Sequence, residues 1–380
     1  MDLSLIKSLS KKVNLFYLID LPPYAIQSTF LEIKNQHSVS AIFESKTYAE
    51  FEEYSSFLEL SKTYIINRQS IKAYSLSNLR LQSDLIKFIS SINPDIIHSN
   101  NFLNFNFLLF LLKNKNPIVL TDHDPFPHSG EDSFKNSLIR KLNYRFINNY
   151  ILLNSVQKSE YLETYKENEK NVYISSLGVY TYLREPSYSF SKTKTNRILF
   201  FGRISQYKGL EYLIEAFRMA KKEIQDIKMT IAGAGDFHFN LNSDLDNSSL
   251  TIINRYVTKR ELVTLISEAK FVVCPYTDAT QSGVVMTSFA LGTPVIATKV
   301  GGLIESVTDG VTGLLVPPKD AQALAKAISF LFKNDKLITQ MTRNIEEIYL
   351  HGYRSWDSIS DRLIPIYENI LNREHRNERK

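Results

Sequence analysis

At 380 residues the chain is too long for one ordinary hydrophobic core, so two domains are expected. Its 43% hydrophobic and 22% charged residues are those of a soluble globular protein. A net charge of +5 is mild: it suits anionic small partners and calls for no nucleic acid. Cys274 is the single cysteine, which excludes an internal disulfide and a cysteine-based metal site and favours a reducing, cytoplasmic compartment.

The first apolar run, residues 13–19, is closed by Asp20, has no small-residue cleavage site, and reads as a strand, not a signal peptide. Further strands are expected at 39–43, 63–66, 95–98, 117–121, 150–153 and 172–175. Residues 102–112 are greasy but about half the ~20 residues a spanning helix needs, so they read as a buried helix. Residues 138–146 put Leu138, Leu142 and Phe146 on one helical face with Arg140, Lys141 and Arg145 around it. That pattern suits either a solvated basic face or a membrane-surface helix. Residues 184–196 have neither period and read as a linker. Strands resume at 197–201, 228–232, 250–253, 271–274, 295–297 and 314–316, with helices at 210–220, 259–268 and 321–333. After Asn334 the pattern is helical to a charged tail. Strand and helix alternate throughout, which predicts an α/β protein of two doubly wound, Rossmann-like domains with ligands at the carboxyl ends of both sheets. The expected bounds are 1–185, a linker at 186–196, 197–350, and a C-terminal helix with its tail at 351–380.

Four stretches carry chemistry. Residues 271–298 run strand, polar turn, apolar helix, Gly-Thr-Pro break, strand. The turn Thr280-Gln281-Ser282-Gly283 meets the helix N-terminus, where backbone amides and the helix dipole favour an anion. Gly202-Arg203-Ile204-Ser205-Gln206-Tyr207-Lys208-Gly209 follows a strand and precedes a helix, so Arg203 and Lys208 could clamp a diphosphate; the alternative is a solvated basic loop. Gly233-Ala234-Gly235 lacks the third glycine of a dinucleotide fingerprint, since His238 stands there, and reads as a turn that still permits close ligand approach. Residues 121–130 gather two histidines, two aspartates and two prolines at a strand end. This suggests a reaction site, against an Asp/Pro turn with a structural histidine. His98, ending a neighbouring strand, could line the same cleft or be a satisfied core histidine. No spacing supports a metal site, and no Gly-x-Ser-x-Gly elbow is present.

Taken in order, these segments resemble glycosyltransferase family 4, the retaining nucleotide-sugar transferases of GT-B fold. The resemblance rests on ILFFGRISQYKGLEYLIEAF, MTIAGAGD, INRYVTKRELVTLISEAKFVVCPY, SFALGTPVIATKVGGLIESVTDGVTGLLVPP and the late Trp356-Asp357, with DIIHSN and LTDHDPFPHSG in the first half. It implies that Arg203 and Lys208 hold the donor diphosphate beside Gly202. Gly233 and Gly235 allow close approach, and Gly283 and Val284 offer backbone amides. Arg255, Tyr256 and Val257 lie at the nucleobase, His123 meets the transferred sugar near the reacting centre, and Glu305 supports the ribose–phosphate loop. Two glutamates usual in the family, eight positions apart, are replaced here by Ala279 and Thr287. Asp278, Gln281 and Ser282 are the neighbouring groups that could serve instead. The resemblance also implies no metal or other cofactor, and a C-terminal helix crossing back to the first domain. The expected partners are a nucleotide-sugar donor and a glycan or lipid-linked acceptor of bacterial surface polysaccharide synthesis. The enzyme would be cytoplasmic, with peripheral contact at the inner face of the membrane as an open point. The alternatives are a GT-B nucleotide-sugar epimerase and a degenerate nucleotide-sugar binding module.

Overall fold

The structure is a computed structural model that describes residues 3–21, 41–44, 49–67, 75–126, 134–165, 172–185, 194–239, 248–279 and 281–377. Thr280, most of the expected linker, and residues 127–130 of the histidine-rich loop lie outside the described residues.

The second half is the more regular. Strands β8 (Arg197–Phe201), β9 (Lys228–Ala232), β10 (Leu250–Ile253), β11 (Phe271–Cys274), β12 (Val295–Thr298) and β13 (Gly313–Val316) form one parallel sheet in the order β10-β9-β8-β11-β12-β13. All four residues of β11 and of β12 are buried, as a sheet covered by helices on both faces requires. The helix Leu210–Glu223 buries Leu210, Leu213, Ile214, Ala216, Phe217 and Ala220, one stripe at helical spacing. Burying a side chain such as Phe217 stabilises by about 2–3 kcal/mol. The helix Lys259–Glu268 starts where Thr258 and Glu261 exchange the two bonds of a capping box. Asp320 caps the helix Ala321–Phe332 by accepting from the Ala323 amide.

The first half is two sheets. Strands β4 (Ile97–Ser99), β5 (Ile118–Asp122), β6 (Asn149–Leu152) and β7 (Val172–Ile174) are parallel and adjacent in chain order. Strands β1 (Tyr17–Leu21), β2 (Ala41–Glu44) and β3 (Thr63–Asn67) form a three-stranded sheet in the order β1-β3-β2. There β2 runs antiparallel to β3, which departs from the all-parallel expectation.

Two elements differ from the sequence reading. The expected strand at 13–19 begins at Tyr17, because the chain first makes the helix Leu3–Ser10, whose Leu5, Ile6 and Leu9 are buried. The Leu9 carbonyl then accepts from both the Lys12 and Val13 amides, so Val13 closes the helix turn and starts no strand. The expected helix at 102–112 is a 3-10 turn, Phe105–Phe107, followed by the helix Leu108–Lys113; the Asn104 side chain accepts from the Asn106 amide and breaks the run.

The helix Trp356–Asn377 crosses back to the first domain. Its Tyr367 hydroxyl meets His98 Nδ1 at 2.7 Å, and Trp356 Nε1 donates to the Val179 carbonyl at 2.6 Å. The N-terminal helix packs along its start: Ser8 Oγ donates to Asp357 Oδ1 at 2.5 Å, and Lys12 Nζ reaches Asp361 Oδ1 at 2.7 Å. One continuous core therefore joins Leu5, Leu9, Val179 and Trp356 to the second sheet, while a separate cluster of Leu85, Phe110, Leu120 and Tyr150 fills the first domain.

Candidate active site

In the second sheet the chain starts at β8, moves outward to β9 and β10, then returns past β8 to β11. The crevice beyond the carboxyl ends of β8 and β11 is thus a topological switch point, the usual ligand position in such sheets. The loops that leave these strands converge there. The Gly202 amide donates to the Ala232 carbonyl at 3.0 Å, and the Ile204 amide to the Ala234 carbonyl at 2.9 Å. Gly233 (φ +153°) approaches so closely that a Cβ would lie 2.0 Å from the Gly202 carbonyl oxygen, which only glycine tolerates. A Cβ on Gly202 would stand 3.3 Å from Val284, in the first turn of the helix Gly283–Ala290. The Gly202, Gly233–Gly235 and Gly283–Val284 segments therefore surround one point.

The two cations there are held differently. Arg203 is exposed. Lys208 is 8% exposed, with Nζ 3.7 Å from the Tyr276 ring centroid and 4.9 Å from that of Tyr207. An ammonium over aromatic faces is attracted by the ring quadrupoles. Tyr276, which sequence reasoning missed, is wholly buried, and its carbonyl accepts from Thr298 Oγ1 at 2.6 Å. Ser282 N-caps the helix by accepting from the Val285 amide, so the amides that open the helix face the crevice end without helical carbonyl partners. Gln281 lies beside it, half-buried.

At the two replaced glutamate positions, Ala279 is buried in the core. Thr287 Oγ1 donates to the Gly283 carbonyl at 2.6 Å, so its one proton is held by its own helix. Arg255 pairs with Glu261 (Nη2–Oε1 2.6 Å), and this hydrogen-bonded pairing pulls the exposed glutamate down to about 2. Tyr256 stands 79% exposed beside it, and Val257 packs against the core. Glu305 departs from its expected place: Oε1 accepts from the Ser155 amide (2.8 Å), Ser155 Oγ (2.6 Å) and the Val156 amide (3.0 Å) of the first domain. It bridges the domains through that one oxygen.

Across the crevice His123 follows β5. Its Nε2 is buried without a hydrogen-bond partner, and burial lowers its pKa, which favours the neutral ring. Its neighbour His98 is a satisfied core histidine: Nδ1 meets the Tyr367 hydroxyl and Nε2 meets Thr121 Oγ1, both at 2.7 Å. Burial pushes its pKa down to about 3. The loop behind His123 is pinned from the far side of the strand. Arg140 Nη1 donates to the Asp124 and Pro125 carbonyls, Tyr165 donates to the Pro125 carbonyl at 2.8 Å, and Tyr144 donates to Asp122 Oδ2 at 2.8 Å. Burial lifts Asp122 to about 6.

Tyr180 links the halves: its hydroxyl lies 3.2 Å from where a Cβ on Gly283 would stand. A cavity of about 470 Å³ opens between His98, His123, Tyr180, Tyr182 and Trp356.

Two Rossmann-like domains, their sheet ends facing each other, with a C-terminal helix returning to the first, define the GT-B class. Residues 34–181 match the model described as Glycosyltransferase Family 4, and residues 184–348 the one described as Glycosyl transferases group 1. The chain belongs to the family 4 glycosyltransferases. An uncharacterized glycosyltransferase of Methanocaldococcus jannaschii is 30% identical over 174 residues, 45% of this chain and 44% of that protein. Alpha-D-kanosaminyltransferase of Streptomyces kanamyceticus is 28% identical over 176 residues, 46% and 45% of the two chains. The chain thus spans less than half the length of these curated relatives in the matched region. The solved structure of HepE from Anabaena in complex with UDP is similar in fold, with a TM-score of 0.63 at 16% identity, covering 93% of this chain and 99% of that one.

Proposed function

We propose that the protein is a retaining glycosyltransferase that moves a sugar from a nucleotide-diphosphate donor to a glycan or lipid-linked acceptor, in bacterial surface polysaccharide synthesis. The observation that carries this is the convergence of the loop that bears Arg203 and Lys208, the Gly233 turn and the Gly283 helix start at the switch point, with half-buried His123 following a strand of the first domain. The difficult event in transfer is departure of a nucleoside diphosphate with growing negative charge. Cations and helix-start amides at the crevice stabilise that charge with no metal or other cofactor in the scheme. His123 faces the side from which the acceptor hydroxyl approaches. The solved HepE relative with UDP makes UDP the first nucleotide to test.

Replacing Arg203 and Lys208 together by alanine should weaken UDP binding by about a hundredfold or more in titration calorimetry. Unchanged affinity would remove the diphosphate clamp. His123→Ala should cut transfer by about a hundredfold while nucleotide binding persists. Wild-type turnover in that variant refutes its place at the reacting centre. The helix-bonded Thr287 hydroxyl and buried Ala279 favour a second reading, a sugar-nucleotide binding protein without transfer. Donor binding with no release of UDP in the presence of any acceptor would select it.

On location, the helix Phe134–Phe146 leaves Leu138 and Phe146 exposed beside Lys141 and Arg145, whereas Arg140 turns inward to the histidine loop. We read this as a peripheral contact with the inner face of the membrane for a cytoplasmic enzyme. No described helix is long and apolar enough to cross a membrane.

A further inference from the structure

We propose that the cavity beside His123 is an aglycone pocket: it takes an uncharged acceptor whose hydroxyl stands at His123 and whose compact apolar body lies against the N-terminal and crossing helices. This rests on the transfer reading and adds the chemical class of the acceptor. At about 470 Å³ the cavity has the size of a small-molecule site. Its polar wall is the strand-end groups Thr121, His123 and Ser175, and its apolar wall includes Leu3, Leu5, Trp356 and Leu363.

Charge decides what can enter. Among the described residues that line the cavity there is no carboxylate, and Lys259 is the one side chain with a fixed charge. Its Nζ stands 5.7 Å over the Tyr182 ring. A phosphate or carboxylate on the acceptor would lose its hydration and meet no guanidinium fork or paired cations in return. Both His98 nitrogens are already bonded, to Tyr367 and Thr121, so His98 has nothing left to offer a ligand. Trp356 has spent its one donor on the Val179 carbonyl and therefore presents apolar surface. His123 stands on the polar wall of the cavity, and its Nε2 makes no hydrogen bond within the protein. An acceptor with a hydroxyl at one end and a hydrocarbon body at the other matches both walls.

Trp356 is the chain's single tryptophan, so its emission reports on this cavity. Titration of the full chain with hexyl β-D-glucoside should change that emission saturably, at a concentration roughly a hundredfold below that needed for D-glucose. Glucose 6-phosphate should give no response over the same range. Ser176→Phe, which narrows the cavity, should weaken the hexyl glucoside response about tenfold or more while UDP affinity by calorimetry stays within about twofold. The inference is overturned if hexyl glucoside gives no saturable change in the wild-type chain, or if glucose 6-phosphate binds equally well. Failure of the wild-type chain to bind UDP would instead sink the nucleotide-donor reading, and the emission series would still decide the pocket.

Discussion

His98 and Asp122 sit on neighbouring parallel strands and titrate in opposite senses. His98 has its pKa lowered from 6.5 to about 3, mainly by burial, so the native state holds it neutral while the unfolded chain protonates near 6.5. The stability this represents is present above pH 6.5 and is lost as pH falls toward 3. Asp122 is raised from 3.8 to about 6, again mainly by burial, so the native state prefers it protonated. Its contribution is present below pH 3.8 and is lost as pH rises through 6. Between pH 7 and pH 5 the first effect costs about 2 kcal/mol and the second returns about 1 kcal/mol, so wild-type stability changes less than either group alone would dictate. Single variants should separate them in urea unfolding at the two pH values. His98→Gln, which keeps a group able to bond Tyr367 or Thr121, should lose less stability at pH 5 than the wild type. Asp122→Asn should lose more. Identical pH slopes in all three proteins would show that neither group is held as its surroundings imply.

The N-terminal helix shows which forces set an element in place. It touches the crossing helix through buried Leu5 and Leu9 and through the polar contacts of Ser8 and Lys12. The Lys12–Asp361 pair is part-exposed, with Asp361 at 69% side-chain exposure, so solvent screens it and it contributes well under about 1 kcal/mol. Leu9 is 1% exposed, and Leu9→Ala should cost about 2–5 kcal/mol in lost transfer energy and cavity. In thermal unfolding Leu9→Ala should therefore lower the midpoint by several degrees, with Lys12→Ala close to wild type. Equal losses would reverse that ranking. The signal for this helix was in the sequence, since Leu3, Ile6 and Leu9 recur at helical spacing, but it precedes a stronger apolar run that claimed Val13 for a strand. The strands and helices of the second half were legible nearly to their bounds because strands such as β11 and β12 are apolar throughout and helix starts carry caps such as Thr258 and Ser282. The first domain was less so. Its β4 is only half-buried, and the antiparallel turn of β2 against β3 is a long-range choice with no local mark.

At the scale of the whole molecule, the position of the loops at strand ends was readable, whereas contacts between distant segments were not. Gly202, Arg203, Lys208 and His123 could be placed from the strand each follows. Tyr276 beneath Lys208, Tyr180 over Gly283 and Glu305 on Ser155 join residues that no local period relates. The last of these has a consequence for how the two domains move. One Glu305 oxygen accepts three hydrogen bonds from Ser155 and Val156, at the entry to the helix Lys158–Tyr165, where the helix dipole adds to the attraction. Its backbone carbonyl accepts from Arg354 at 2.5 Å, in the segment that leads into the crossing helix, so the same residue ties the second domain to the first and to the hinge. The bonds are solvent-exposed, so their joint worth is of order 2 kcal/mol, not the sum of three buried ones. That is still roughly a thirtyfold bias toward the domain arrangement in which the contact forms. Glu305→Ala should therefore enlarge the radius of gyration of the ligand-free protein in small-angle X-ray scattering. Saturating nucleotide should draw it back if the donor bridges the same cleft. Glu305→Gln, which keeps an acceptor oxygen but loses the charge, should fall between. A scattering curve for Glu305→Ala that overlays the wild type without ligand would mean that the hinge core of Leu5, Val179 and Trp356 alone fixes the domain angle, and that the bridge is a passive contact.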